Sequence, residues 1–194
     1  MTRINRLAFI GNSLPRRCGI ATFTTHLQQA VAASCPDIDT RIVAMTDQGR
    51  TYDYPPTVCF QIEDHKVEDY ARAAVFLNAG RFEAVSLQHE FGIFGGAAGG
   101  HIMALLSRLT MPIVTTLHTV LSGPTPVQRG VMDRIVDASS RIVVMAEKGR
   151  DLLHTLTGCR RKRSRSSRTG FPTPHLSSRT KRRPNSASAA GQSF

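Results

Sequence analysis

The chain has 194 residues, 25 basic and 14 acidic, for a formal charge of +11, and 41% of it is hydrophobic. Ten of the basic residues lie between Arg160 and Arg183, a stretch without Asp or Glu; the preceding 159 residues carry 15 basic against 14 acidic, so the charge says little about a folded part. Four cysteines without paired short spacing exclude a zinc ribbon or a disulfide scaffold and point to a reducing cytoplasm, and no apolar run reaches transmembrane length or makes a signal-peptide core.

In chain order, residues 7–11 (LAFIG) form a short continuous apolar run, the pattern of a buried strand. Residues 20–34 place apolar side chains at helical spacing. Residues 40–45 (TRIVAM) and 57–62 (TVCFQI) read as strands, and 67–78 as a helix with an acidic first turn. Residues 83–88 (EAVSLQ) read as a strand, 99–109 as a helix, 112–117 (PIVTTL) as a strand and 126–138 as a helix. A last strand at 141–145 (RIVVM) and a last helix at 147–157 complete the pattern. Strands with continuous apolar faces alternating with helices imply an α/β unit, a parallel sheet covered on both faces. The expected domain is 1–158. Residues 159–194 are expected to be a disordered Arg/Ser-rich tail, too poor in apolar side chains to offset the entropy of ordering.

In a parallel sheet, ligands sit beyond the carboxyl ends of the strands. After the first strand comes GNSLPRRCG, ending at Gly19 near a helix N-terminus, where free N–H groups suit an anion. Neither a Walker A nor a Gly-x-Gly-x-x-Gly motif is matched, and an ordinary strand–helix turn has the same spacing; Arg16 and Arg17 equally suit a solvated rim. After the fourth strand comes HEFGIFGG, from His89 and Glu90 through Gly92. It suits a polar ligand. It also begins like a zinc-protease motif, but position 93 is Ile and the second ligand is absent, so no metal is expected. After the fifth strand comes His118, followed by Thr119. An imidazole at a strand end can donate a hydrogen bond or move a proton, although a lone histidine is more often structural. Asp133 and Asp137, one helical turn apart, suit a solvated face, and Met103, Met111, Met132 and Met145 suit core filling.

Four segments, LAFIGNSLPRRCGIATFTTHL, VSLQHEFGIFGG, MPIVTTLHTVL and RIVVMAEKGRDLL, fall in order at these strand ends. Together they resemble the N-terminal half of a GT-B fold glycosyltransferase of the family-4 (group 1) type, over residues 5 to about 158. The resemblance implies a Rossmann-like domain that shapes the acceptor side of a cleft. It also implies a hexose transferred from a nucleotide-sugar donor to a carbohydrate or lipid acceptor, with retention and without a cofactor or required metal. Carried over by position, Gly19 is donor-binding, His118 is catalytic, and His89, Glu90, Gly92 and Arg16 line the cleft. In that family a second domain holds most donor contacts, including a Glu-x7-Glu motif, and the tail here contains no Glu. The chain alone is therefore expected to be inactive.

The tail also reads as a frameshift. Taken one base earlier, and with suitable synonymous codons, residues 160–176 become PAEKIEIIPHGIPDTPF, a strand followed by the Pro-His-Gly-Ile-Pro-like crossover that the resemblance implies. Two alternatives remain. In one, the basic tail is genuine and the protein contacts nucleic acid or another polyanion through phosphate charge, without base stacking, since only Phe171 and Phe194 are aromatic there. In the other, the chain is a complete single-domain flavodoxin-like binder, a reading that the segments around His118 and Phe91–Gly96 weaken.

Overall fold

The computed structural model describes residues 4–157 and the backbone of 164–166. Its centre is a parallel sheet with strand order β3-β2-β1-β4-β5-β6-β7. β1 (Arg6–Gly11) pairs with both β2 (Asp39–Thr46) and β4 (Ala84–His89). β5 (Ile113–Leu117) and β6 (Arg141–Val144) extend the sheet one way, and β3 (Val58–Glu63) forms its other edge. The order reverses at β1, and chain crossovers leave to either side of it. That switch point is where a doubly wound sheet opens a crevice.

The strands are central because their side chains are apolar on both faces. Ala8 and Ile10 point into one core with Val43, Met45, Val85 and Leu87, roofed by Tyr70, Ala73, Ala74 and Leu77 of α2 (Val67–Ala79). Phe9, Ile42 and Ala44 point to the other face, against Leu27 and Val31 of α1 (Gly19–Ser34). A third cluster joins Leu117, Ile142 and Val144 to Met132 and Val136 of α4 (Pro126–Ala138) and Leu153 of α5 (Glu147–Thr157). Each large side chain so buried contributes about 1.5–3 kcal/mol.

Local chemistry fixes the helix starts. Thr125 and Gln128 form a reciprocal capping box with Pro126 in the first turn of α4. Glu68 and Asp69 complement the positive end of α2.

Two expectations meet differences. The helix expected over 99–109 is a 3-10 segment, Ala97–Ile102, followed by a single α turn, α3 (Met103–Leu106). Ala98 (φ 51°) and Gly99 (φ 75°) break the helical path there. The loop before them is pinned: a Cβ at Gly95 would lie 1.9 Å from Asp64 O, and the Gly95 N–H donates to the buried Tyr70 hydroxyl at 3.0 Å. Within the tail, Ser164–Ser166 form β7, parallel to β6, where the sequence suggests irregular chain. The pairing is a backbone ladder with Ile142, Val143 and Val144. The remaining tail residues lie outside the described residues. No helix among the described residues is long and apolar enough to cross a membrane.

Candidate functional site

The loops after β1, β2, β4 and β5 leave the same carboxyl edge of the sheet, because these four strands are parallel and adjacent. Gly19, His89, Glu90 and His118 all lie along it. His89 ends β4, and its carbonyl accepts the His118 N–H at 3.0 Å, which carries the ladder one step past the end of β5.

His118 is the half-buried centre of this edge. Its Nε2 lies 3.1 Å from Gln88 Oε1, and its ring meets Phe23 edge-on with centroids 4.7 Å apart. Burial holds its pKa below the ordinary imidazole value, and the nearby Glu90 carboxylate opposes that shift. The ring is therefore held, neutral at pH 7, between α1 and β4.

Glu90 ties two loops together. One carboxylate oxygen accepts from Phe91 N–H at 3.1 Å, and the other from the Thr119 hydroxyl at 2.5 Å. Both are charge-assisted bonds, about twice as strong as neutral ones. Glu90 thus buttresses the loops that present His118.

His89 departs from its expected place on a cleft wall. It is fully buried, edge-on to Phe91 (5.0 Å) and stacked on Phe94 (5.8 Å). The reason is register. Side chains alternate along β4, so His89 falls on the core face with Val85 and Leu87, while Gln88 falls on the α1 face with His118. Both of its ring nitrogens lack a hydrogen-bond partner among the described residues, and burial and the neighbouring His118 push its pKa down to about 4. It is a neutral packing group.

Gly19 opens α1. Cys18 caps the helix, its Sγ accepting from Ala21 N–H at 3.3 Å. A Cβ at Gly19 would meet nothing within 4 Å, so the fold itself does not ask for glycine there. Gly19 lines a groove of about 550 Å³ with Thr22, Phe23, His26 and Leu27. Phe23 links that groove to His118. Gly92 is exposed on the 3-10 turn Phe91–Ile93, also with open space around it. Arg16 lines a second concavity, formed with the loop after β2, whose lining does not include His118.

No family model matches the chain, and no curated protein matches it. The site is therefore read from its own chemistry. It joins a helix N-terminus with accessible backbone, a neutral imidazole held by an amide, and a carboxylate committed to loop structure. Such an edge can cradle an anionic group at Gly19 and present one hydrogen-bonding or proton-accepting nitrogen beside it. Among the described residues, no group of three His, Cys, Asp or Glu side chains could hold a metal ion.

The sequence reading misses Gln88, Phe23 and Thr119. Gln88 sits inside an apolar strand, and a buried polar side chain between Leu87 and His89 is the signal that would have marked it. Phe23 follows Gly19 by one helical turn and so shares its face.

Proposed function

We propose that this chain is a cytoplasmic glycosyltransferase-type domain that belongs to a hexose transfer from a nucleotide sugar to a carbohydrate or lipid acceptor. The reading rests on the four-segment resemblance. It is supported by one observation above all: the half-buried His118, held by Gln88 and Phe23, stands beside the groove that begins at Gly19. In this reading the donor phosphates approach the first turn of α1, where N–H groups have no intrahelical acceptor. Through Nδ1, the ring nitrogen that the bond to Gln88 leaves free, His118 accepts a hydrogen bond from a hydroxyl of the transferred sugar in a partly dry site, a contact that contributes about 1 kcal/mol.

Nuclear magnetic resonance titration of the 194-residue chain with nucleotide sugars tests this. Shifts at Gly19, Phe23, His118 and Thr119 that weaken in His118→Ala are expected. Titration to millimolar ligand with no response at these residues, or with responses only elsewhere, would remove the reading.

The ten basic residues of 160–183 favour a second reading, in which the tail holds a polyanion. Binding to heparin that fades steeply with salt, and that survives only while Arg179, Lys181, Arg182 and Arg183 are present, supports it.

A further inference from the structure

The second concavity is not used by the site around His118, and it is a built structure. Two turns frame it. In one, the Arg16 N–H closes on Ser13 O at 3.1 Å. In the other, the Arg50 N–H closes on Asp47 O at 3.0 Å, around Gly49 with φ 69°, a conformation that favours glycine. An ion pair crosses between the turns, with Arg16 Nη2 2.6 Å from Asp47 Oδ1, and the Arg16 side chain is only 19% exposed. The other Asp47 oxygen accepts from the Tyr52 hydroxyl at 2.7 Å. Asp47 is thus occupied on both oxygens, and its work is to orient Arg16.

What remains is a cationic hollow of about 630 Å³ lined by Pro15, Arg16, Arg17, Asp47, Arg50 and Tyr52. Three arginines and one aspartate are among its lining residues, a local excess of two positive charges. The whole of residues 1–159 has an excess of only one. Neither Arg17 nor Arg50 pairs with a carboxylate among the described residues. A concave cluster of guanidinium forks with one member pre-oriented matches a small, doubly charged, tetrahedral anion.

We propose that this hollow binds the phosphate monoester of a small ligand. The two negative charges match the local excess. The guanidinium forks match the phosphate oxygens, and Pro15 and the Tyr52 ring offer apolar surface to the carbon skeleton. It shares no lining residue with the groove at Gly19. The ligand is therefore the phosphorylated acceptor, a step that rests on the glycosyltransferase reading, under which the donor phosphates lie at Gly19.

The full 194-residue chain is titrated at constant ionic strength with inorganic phosphate, a hexose 6-phosphate, the unphosphorylated hexose and a nucleoside diphosphate. Backbone and arginine Nε–H resonances report the outcome. Saturable shifts at Arg16, Arg17, Gly49 and Arg50 are expected, with Kd in roughly the millimolar range for phosphate alone. The hexose phosphate should bind more tightly, and the plain hexose should leave these residues unmoved. Arg17→Ala/Arg50→Ala, which removes only exposed side chains, should weaken binding by at least about tenfold with an unchanged melting temperature. Shifts confined to residues 160–194, or unchanged affinity in the double variant, would overturn the site. A response of these residues to the nucleoside diphosphate but not to the hexose phosphate would overturn its assignment to the acceptor. Phosphate binding here with no nucleotide-sugar response at Gly19 and His118 would leave the site standing and remove the glycosyltransferase reading instead.

Discussion

Gln88 Oε1 accepts from His118 Nε2 at 3.1 Å, and the Gln88 amide is itself turned by its own N–H donation to Ser86 Oγ at 3.0 Å. The amide therefore selects the Nε2–H tautomer of a neutral His118 and leaves Nδ1 as the basic nitrogen. Gln88→Leu is expected to strand that N–H at a cost of about 1–3 kcal/mol. It is also expected to lower the His118 pKa further, because the amide oxygen favours the charged ring. Urea unfolding checks the first point, and proton-detected titration of the imidazole checks the second. An unchanged pKa and tautomer in the variant would show that the amide does not control the ring.

Glu90 acts on His118 through charge and on Thr119 through a short hydrogen bond. Glu90→Gln removes the carboxylate that raises the His118 pKa. That pKa is expected to fall, and hydrogen exchange in the loop after β5 is expected to quicken as the charge-assisted bond weakens. Thr119→Val leaves the charge in place. It should loosen the loop with little change in the His118 titration, which separates the two roles.

His89 sets the acid limit of the fold. Its folded pKa of about 4 lies below the ordinary 6.5, so the unfolded chain binds the proton first as pH falls. Above pH 6.5 both states are neutral there and the histidine costs nothing. Between pH 6.5 and about 4, stability is expected to drop by on the order of 3 kcal/mol. The depressed His118 pKa adds to this loss in the same direction. In His89→Leu, urea midpoints should lose much of that pH slope, because neither ring nitrogen has a partner to forfeit. A variant with the full slope would place the acid sensitivity elsewhere.

The apolar runs made the sheet legible. LAFIG, TRIVAM, EAVSLQ, PIVTTL and RIVVM each supplied a strand of the central sheet, with Met145 falling just outside β6, because continuous branched apolar stretches fit positions buried on both faces. The glycine-rich stretch after Ile93 was not legible, since its path depends on Asp64 and Tyr70, about 25 to 30 positions away in sequence. The positions of Gly19 and His118 at strand ends were readable. The face onto which each side chain turns was not. The one-residue alternation between Gln88 and His89 decides which of them meets the solvent-side imidazole, and the sequence around them is polar at both positions.

Gly19 and Gly95 should respond oppositely to alanine. At Gly95 the new methyl would collide with Asp64 O at 1.9 Å, and a loss of roughly 3 kcal/mol or more is expected from thermal or urea unfolding. At Gly19 the methyl meets nothing, and alanine favours helix over glycine, so stability should hold or rise by up to about 1 kcal/mol. Any ligand that approaches the α1 backbone closely should nevertheless bind Gly19→Ala more weakly. Equal binding by wild type and Gly19→Ala would detach the first turn of α1 from ligand recognition.

The nucleotide sequence decides the frameshift reading. β7 falls on Ser164–Ser166 and pairs in parallel with Ile142–Val144. Ser-Arg-Ser supplies no apolar side chain, unlike β1 to β6. The same three positions, read one base earlier, give Ile-Glu-Ile, a strand-forming alternation that leads into Pro-His-Gly-Ile-Pro. The two bases of each shifted codon that the protein sequence fixes are enough to make this coincidence informative. Insertion of one base near codon 158 is expected to open a frame in which the run of arginines disappears. That frame should continue into a second Rossmann-like domain with a basic pair for donor phosphates and a Glu-x7-Glu motif. Genomic DNA across codons 155–165 and the bases beyond them is the measurement. Immediate stop codons in the shifted frame would instead make the basic tail genuine, and the polyanion-binding reading would then lead.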